Sequence, residues 1–123
     1  MKRLWSLFLS CFLWVVLTPY ALIFMGAASN QIVMIANHDS MPVLVNQQRL
    51  AEFTEGHDVA EGMLDNRHSI LTNESHLVFL ADIFDFHDSI ESVGDMLLDA
   101  GSGLEYPCFI AWLTLIIYTR KVQ

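Results

Sequence analysis

A long apolar stretch near the start of the chain places the strongest constraint on the fold. Residues 4–37 contain no Lys, Arg, Asp or Glu, and their apolar part is longer than the roughly 20 residues that a bilayer-spanning helix needs. Pro19 lies in the outer half of this stretch and is expected to kink the helix, because proline removes a backbone hydrogen bond. We therefore predict that residues 1–36 form an N-terminal transmembrane helix with an interfacial extension.

A secretory signal peptide is the alternative explanation of the same stretch. Gly26, Ala27 and Ala28 offer small residues at positions suited to cleavage. However, the apolar run 4–25 has 22 residues, whereas the apolar core of a signal peptide usually has about 7–15. An uncleaved anchor is therefore favoured. Cleavage, which would leave an exported domain that begins at Ser29, stays open as the alternative.

A second apolar run occupies residues 104–118. Its uninterrupted apolar core, residues 106–118, has 13 residues, so it spans a bilayer only if helix from residues 101–103 contributes. Basic residues flank both runs, and the positive-inside rule then places both ends of the chain in the cytoplasm. These basic residues are Lys2, Arg3, Arg120 and Lys121. We predict a second transmembrane helix and basic tail in residues 104–123, and a multi-pass protein of the cell membrane.

The segment between the two runs, residues 37–103, is predicted to be extracytoplasmic and is strongly acidic. It holds 13 of the 14 acidic residues of the chain but only two arginines, and the whole chain has a net charge of −8. Binding to nucleic acid depends on Lys and Arg side chains that neutralise phosphates. The composition therefore excludes nucleic acid as a partner and favours the lipid bilayer and, with it, another membrane protein.

Turn and capping signals predict short helices in this acidic segment. We expect one helix over residues 43–53, a second of about ten residues capped by Thr72, and a connector over residues 82–88. Ser92 and Asp95 have the spacing of a capping box, which predicts the start of a longer helix. The predicted fold class is mainly α, with two transmembrane helices flanking a partly helical acidic extracytoplasmic segment.

The sequence contains no motif for catalysis, a metal or a cofactor, so we expect none of the three. The five histidines of the acidic segment do not have the spacing of a zinc site, and its carboxylates do not have the spacing of an EF-hand. An acidic stripe is expected on one helix face, at Asp88, Glu91, Asp95 and Asp99. Cys11 and Cys108 are lone thiols in the two apolar runs and are interpreted as small buried side chains.

Four short blocks follow one another between about residues 30 and 101. Residues 36–43 fit AN-x-x-x-MPV, residues 68–72 fit H-x-x-LT, residues 77–82 fit L-x-x-L-x-D, and residues 92–98 fit S-x-GD-x-LL. In this order they resemble the signature of a bacterial membrane-protein family that is described only as a domain of unknown function. The resemblance implies a bacterial multi-pass membrane protein and implies no reaction.

Six residues of these blocks are candidate functional or structural positions: Asn37, Met41, Pro42, His68, Asp82 and Asp95. A contact of His68 with Asp82 or Asp95 would join two of the short elements on the membrane surface. Our first interpretation is a small integral membrane protein that binds or assembles with another membrane component and is not an enzyme. The alternative is a metal-dependent or enzymatic membrane protein that uses His68, Asp82 and Asp95.

Overall fold

Two long helices frame the part of the chain that the computed structural model describes. This part comprises residues 2–46, 50–51, 61–86 and 89–121, with the side chains of residues 2–11, 116 and 119–121 left out. The helices are α1 (Lys2–Ala36) and α2 (Val93–Lys121). Between them lie the strands β1 (Met41–Val43), β2 (His68–Ile70), β3 (Phe84–Phe86) and β4 (Ser89–Glu91), and a short 3-10 helix, Val78–Leu80.

The described chain forms two compact units. The helical unit consists of Met1–Met25 and Leu97–Gln123, and the mixed unit consists of Gly26–Met96. Each long helix therefore contributes residues to both units. The mixed unit holds all four strands, and it includes most of the segment that the sequence predicts to be acidic and extracytoplasmic.

Helix α1 runs without interruption through Pro19 and ends at Ala36. His38 and Asp39 then adopt positive φ angles of 57° and 63°, a conformation that cannot continue a right-handed helix. Among the described side chains, one helix is long and apolar enough to cross a membrane, and it is Phe12–Ala36. The structure thus supports the first predicted span by length and composition, whereas a second span does not pass the same test in the described residues.

Strand β1 has a backbone partner on each side. It pairs in parallel with β2, with Val43 opposite Ile70, and it makes a parallel bridge to Asp82 on its other side. The Asp82 N–H donates to the Pro42 carbonyl at 3.1 Å, and the Leu44 N–H donates to the Asp82 carbonyl at 2.8 Å. Pro42 is the middle residue of β1 and lies opposite Ser69; it has no N–H to donate, so it takes part in the pairing through its carbonyl.

A small core lies beneath this sheet. Val33, Met41 and Ala81 are almost fully buried and form its centre. Partly buried apolar side chains pack around them, namely Met34, Leu71, Leu77, Leu80 and Ile83. The end of α1 is thereby packed against β1 and against the segment that includes the 3-10 helix. Strands β3 and β4 form a separate antiparallel pair, in which Phe84 lies opposite Glu91.

The structure contradicts three local predictions for the acidic segment. Residues 41–43 form a strand, so the helix predicted over residues 43–53 does not begin at Val43; residues 50–51 are helical, and residues 47–49 and 52–60 lie outside the described part. Thr72 does not cap a long helix, because its hydroxyl accepts from the Glu74 N–H at 3.3 Å and closes a turn. Residues 84–86 form β3 rather than a connector.

The predicted start of the last helix is confirmed. Helix α2 begins at Val93, directly after Ser92, and continues for 29 residues through Pro107 to Lys121. Residues 101–103 are helical, so they lengthen the second apolar run as that prediction required. The mainly helical character of the fold is therefore correct, and the small sheets are the feature that the sequence pattern did not indicate.

Candidate functional site

A cluster of polar side chains joins the N-terminus of α2 to α1 within the mixed unit. The Asp95 N–H donates to Ser92 Oγ at 3.0 Å, and the Ser92 N–H donates to Asp95 Oδ2 at 2.9 Å. This reciprocal pair is the predicted capping box. The Asn30 amide of α1 donates to Asp95 Oδ1 at 2.7 Å. Both carboxylate oxygens of Asp95 are therefore hydrogen-bonded, and one of the bonds reaches the other long helix.

Glycine at position 94 allows the two helices to approach each other at this cluster. A Cβ atom at Gly94 would overlap the side chain of Asn30 and would lie 2.8 Å from the Gly26 carbonyl oxygen. Gly26 and Gly94 are both buried. Small residues permit this kind of close backbone approach between helices. The hydrogen bonds of Asn30 and Asp95 thus depend on a glycine one residue before Asp95.

Asp82 is the most unusual residue near this cluster. The residue is 5% exposed, and its Oδ1 atom has no hydrogen-bond partner among the described residues. Burial and, to a smaller extent, the neighbouring Asp95 carboxylate raise the pKa of Asp82, while His68 lowers it; together these effects bring the pKa to about 7. A buried carboxyl group beside another carboxylate favours its protonated form. Asp82 therefore exchanges its proton near neutral pH.

His68 lies between two carboxyl groups. Its Nδ1 atom is 2.7 Å from Asp65 Oδ2, and its Nε2 atom is 3.8 Å from Asp82 Oδ2. Burial disfavours ionisation of Asp65, but hydrogen bonds from the Arg67 and His68 N–H groups and from the imidazole outweigh it, so the pKa of Asp65 lies below its ordinary value. The charged Asp65 thus orients the imidazole so that its other nitrogen faces Asp82.

The six candidate residues fall into two groups. His68, Asp82 and Asp95 lie near one another, since Asp82 interacts with both of the other side chains. Asn37, Met41 and Pro42 lie elsewhere in the mixed unit and have structural surroundings. Met41 belongs to the core, and Pro42 is buried in β1.

Asn37 closes the end of α1 and is almost fully buried. Its amide oxygen accepts from the His76 N–H at 2.8 Å, and its amide nitrogen donates to the His76 carbonyl at 2.9 Å. The same nitrogen lies 2.8 Å from the Val33 carbonyl. The side chain therefore imitates a strand that pairs with the backbone of a distant segment.

Two residues of the cluster were missed by the sequence analysis. Asn30 was not singled out, although an amide inside a long apolar helix is itself a signal of a specific hydrogen bond. Asp65 precedes Arg67 by two residues in a turn, and its Oδ1 accepts the Arg67 N–H at 2.6 Å. This Asx-turn pattern is readable in a sequence, but its contact with His68 needed the fold.

The structure offers no metal site in its described part. No group of three His, Cys, Asp or Glu side chains among the described residues could hold a metal ion. His57, His87 and Asp88 lie outside those residues. The predicted acidic stripe is also corrected, because Glu91 belongs to β4 and Asp95 is engaged in the cap. The metal-dependent alternative therefore lacks a ligand set here.

One feature of the site is compatible with general acid–base chemistry. A buried carboxyl group whose pKa lies near 7, placed beside an imidazole, is suited to accepting and releasing a proton. Such a pair occurs equally in structural networks. The enzymatic alternative with His68, Asp82 and Asp95 thus stays a prediction, and the geometry does not point to a substrate or a reaction.

The comparison with protein families decides the relationship of this chain. Residues 2–104 match the model of DUF5317, a family of unknown function. The chain belongs to this family. The DUF5317 match includes the whole of α1, the whole mixed unit and the start of α2, so the polar cluster lies inside the family region. No curated protein and no solved structure matches the chain.

Proposed function

We propose that this DUF5317 protein is a small integral membrane protein that crosses the bilayer with both long helices. In this proposal both ends of the chain lie in the cytoplasm, and residues 37–103 lie outside it. The extracytoplasmic segment binds or assembles with another membrane component. The proposal extends the first interpretation of the sequence with the contacts of the folded chain.

The exposed apolar side chains of α1 carry this proposal. Trp14 and Phe24 are each 74% exposed, and Ile35 is 65% exposed. Apolar surface in water costs about 25 cal/mol for each Å², and soluble proteins rarely leave large contiguous apolar patches uncovered. A lipid environment removes this cost, since lipid tails are as apolar as the side chains themselves.

Helix α2 supports a second crossing. Tyr106 is 76% exposed, Ile110 is 63% exposed and Ile117 is 56% exposed, so α2 also presents apolar side chains without cover. Residues 101–118 are continuously helical, and at 1.5 Å per residue they measure about 27 Å, close to the roughly 30 Å hydrocarbon thickness of a bilayer. Arg120 and Lys121 follow this stretch and favour a cytoplasmic end.

The contact between α1 and α2 in the helical unit also suits a membrane. A Cβ atom at Gly101 would lie 2.6 Å from Ile23 Cγ1 and 2.7 Å from the Pro19 carbonyl oxygen, so the two backbones approach each other closely there. Close approach at small residues is a common way for transmembrane helices to associate, because it increases van der Waals contact without a hydrophobic driving force.

The binding role rests on the surface of the mixed unit. Phe79 is 66% exposed and Phe84 is 38% exposed, although both lie in an otherwise acidic segment. Exposed aromatic side chains surrounded by polar residues are typical of protein interfaces. These two side chains are therefore the proposed contact points for another membrane component.

Membrane integration is tested by extraction of cell membranes. The full chain should stay in the pellet after alkaline carbonate treatment and enter the supernatant only with detergent. The binding role is tested separately by a photo-crosslinking amino acid at Phe79, with Asn73 as the exposed polar control position. Adducts to one membrane protein from Phe79 but not from Asn73 support the role. Integration without any Phe79 adduct would leave an anchor with no binding function.

A further inference from the structure

A cavity lies between α1 and α2 in the helical unit, outside the polar cluster described above. Its volume is about 250 Å³. Its main lining side chains are Pro19 and Tyr20 from α1 and Glu105, Cys108, Phe109 and Trp112 from α2. The residues from α2 are spaced at three and four, so they lie on one face of that helix. The cavity is therefore built by two facing helical stripes.

Pro19 explains why the helices are held together at this level. Because Pro19 has no N–H, the Val15 carbonyl one turn earlier has no donor from its own helix. The Cys108 thiol of α2 donates to this carbonyl at 3.4 Å. The thiol thus satisfies a backbone group that the proline leaves free, and the small Cys108 side chain keeps space open beside the proline ring.

Aromatic rings form much of the cavity wall. The rings of Phe109 and Trp112 are stacked, with centroids 5.8 Å apart and planes inclined by 30°. Tyr20 is 53% exposed and Trp112 is 39% exposed, so both can be reached from outside the helix pair. The faces of aromatic rings carry partial negative charge and attract cations, most strongly at Trp.

Glu105 supplies a full negative charge to the same wall. It lies one helical turn before Phe109, and no described Lys, Arg or His side chain forms an ion pair with it. A carboxylate beside an apolar membrane stretch is costly unless it meets a positive charge. The cavity therefore combines aromatic faces with a carboxylate that has no ion-pair partner among the described side chains, and this combination is complementary to an organic cation.

We propose that this cavity binds an organic ammonium ion that carries an apolar tail. The ammonium group lies between the Glu105 carboxylate and the ring faces of Tyr20 and Trp112, and the tail leaves through the open side of the cavity along the apolar helix surfaces. A free cationic amphiphile and the headgroup of a choline lipid share this chemistry, and the experiment distinguishes them.

The experiment uses the full chain in maltoside micelles with Trp112 as its single tryptophan, obtained by Trp5→Phe and Trp14→Phe. Dodecyltrimethylammonium is titrated while Trp112 fluorescence is recorded. We expect a saturable change, and we expect Glu105→Gln to weaken the binding about 10-fold, as loss of a charge contact beside aromatic rings implies. The exposed Asp99, on the same helix, provides the matched control, and Asp99→Asn should leave the affinity unchanged.

Parallel titrations identify the source of the ligand and the result that overturns the proposal. Saturation by dodecylphosphocholine at similar affinity indicates a lipid headgroup, whereas saturation by the ammonium alone indicates a free amphiphile. If Glu105→Gln binds as tightly as the parent, or if neither cation saturates, the site does not exist. Should Glu105→Gln lose its helical circular dichroism, Tyr20→Leu gives the same test, because it removes one of the two rings that contact the ammonium group. The measurement does not depend on membrane orientation, so its failure leaves the proposed function standing.

Discussion

Replacement of Asp82 by asparagine is expected to change how the stability of the protein depends on pH. Burial raises the pKa of Asp82 from 3.8 to about 7 in the folded chain. The folded state therefore keeps a proton that the unfolded chain has already released. A raised folded pKa gives stability that is fully present below the unfolded pKa and is lost as the pH rises through the folded pKa.

The size of the effect follows from the difference between the two pKa values. At about 1.4 kcal/mol per unit, the difference corresponds to roughly 4 kcal/mol of unfolding free energy lost between about pH 4 and pH 8. Asparagine has nearly the same shape and no charge, so it keeps the neutral state at every pH. Asp82→Asn should therefore match the parent near pH 4 and exceed it by a few kcal/mol at pH 8.

The assay is denaturant unfolding of the full chain in neutral detergent micelles, followed by helical circular dichroism at about pH 4 and about pH 8. The control is Asp99→Asn, which removes an exposed carboxyl group of α2 and should keep the pH dependence of the parent. The reasoning is refuted if Asp82→Asn and the parent lose the same stability between these two pH values. It is equally refuted if the variant is the less stable of the two at pH 8.

Three further substitutions test the contacts of the mixed unit, all read as unfolding free energies in the same micelles. Gly94→Ala should destabilise the folded protein by about 2 kcal/mol, because the added methyl group overlaps Asn30. Gly103→Ala is the control: the added methyl group meets no atom within 4 Å, so the variant should be as stable as the parent or more stable by up to about 1 kcal/mol. Ser92→Ala should cost about 1 kcal/mol through loss of the cap; an unchanged stability would contradict that role. Asn37→Ala should cost about 1–3 kcal/mol because it removes both hydrogen bonds of the buried Asn37 side chain to the backbone of His76, and a loss below about 0.5 kcal/mol would argue against this pairing.

The elements of this fold that depend on short-range sequence signals could be predicted from the sequence. The α2 cap uses Ser92 and Asp95, which are three residues apart, so one pattern determines both partners. Helix α1 could also be predicted, because a long apolar stretch without charged residues is compatible with few structures other than a helix of this kind. The capping hydrogen bonds and the end of α1 at Ala36 agree with these expectations.

The pairing of strands that are distant in the sequence could not be predicted from local patterns. Strand β1 has three residues and contains Pro42, and its partner β2 lies more than 20 residues further along the chain. Such a short strand has no alternating pattern to identify it, and its stability comes from tertiary contacts such as those of Met41. The same reason explains Thr72, whose capping signal was real but served a turn once Leu77 and Leu80 packed on the core.

The candidate site was predicted in part: the sequence indicated three of its residues but not their surroundings. His68, Asp82 and Asp95 were selected by motif resemblance, and the structure places them near one another. Their environments could not be read from the sequence, because the burial of Asp82 depends on its backbone pairing with β1. Asp65 and Asn30 complete the cluster through contacts from a turn and from α1, and neither contact is encoded within a few residues.

The most direct test of the central claim is the accessibility of engineered cysteines in intact cells. In a background with Cys11→Ala and Cys108→Ala, Glu74→Cys in the exposed turn after Thr72 is compared with Gln123→Cys at the end of the chain. A membrane-impermeant maleimide should label position 74 in intact cells and position 123 only after the cells are opened. Protection of position 74 in intact cells, or recovery of the labelled protein in a detergent-free soluble fraction, would contradict the account of a protein that crosses the membrane twice.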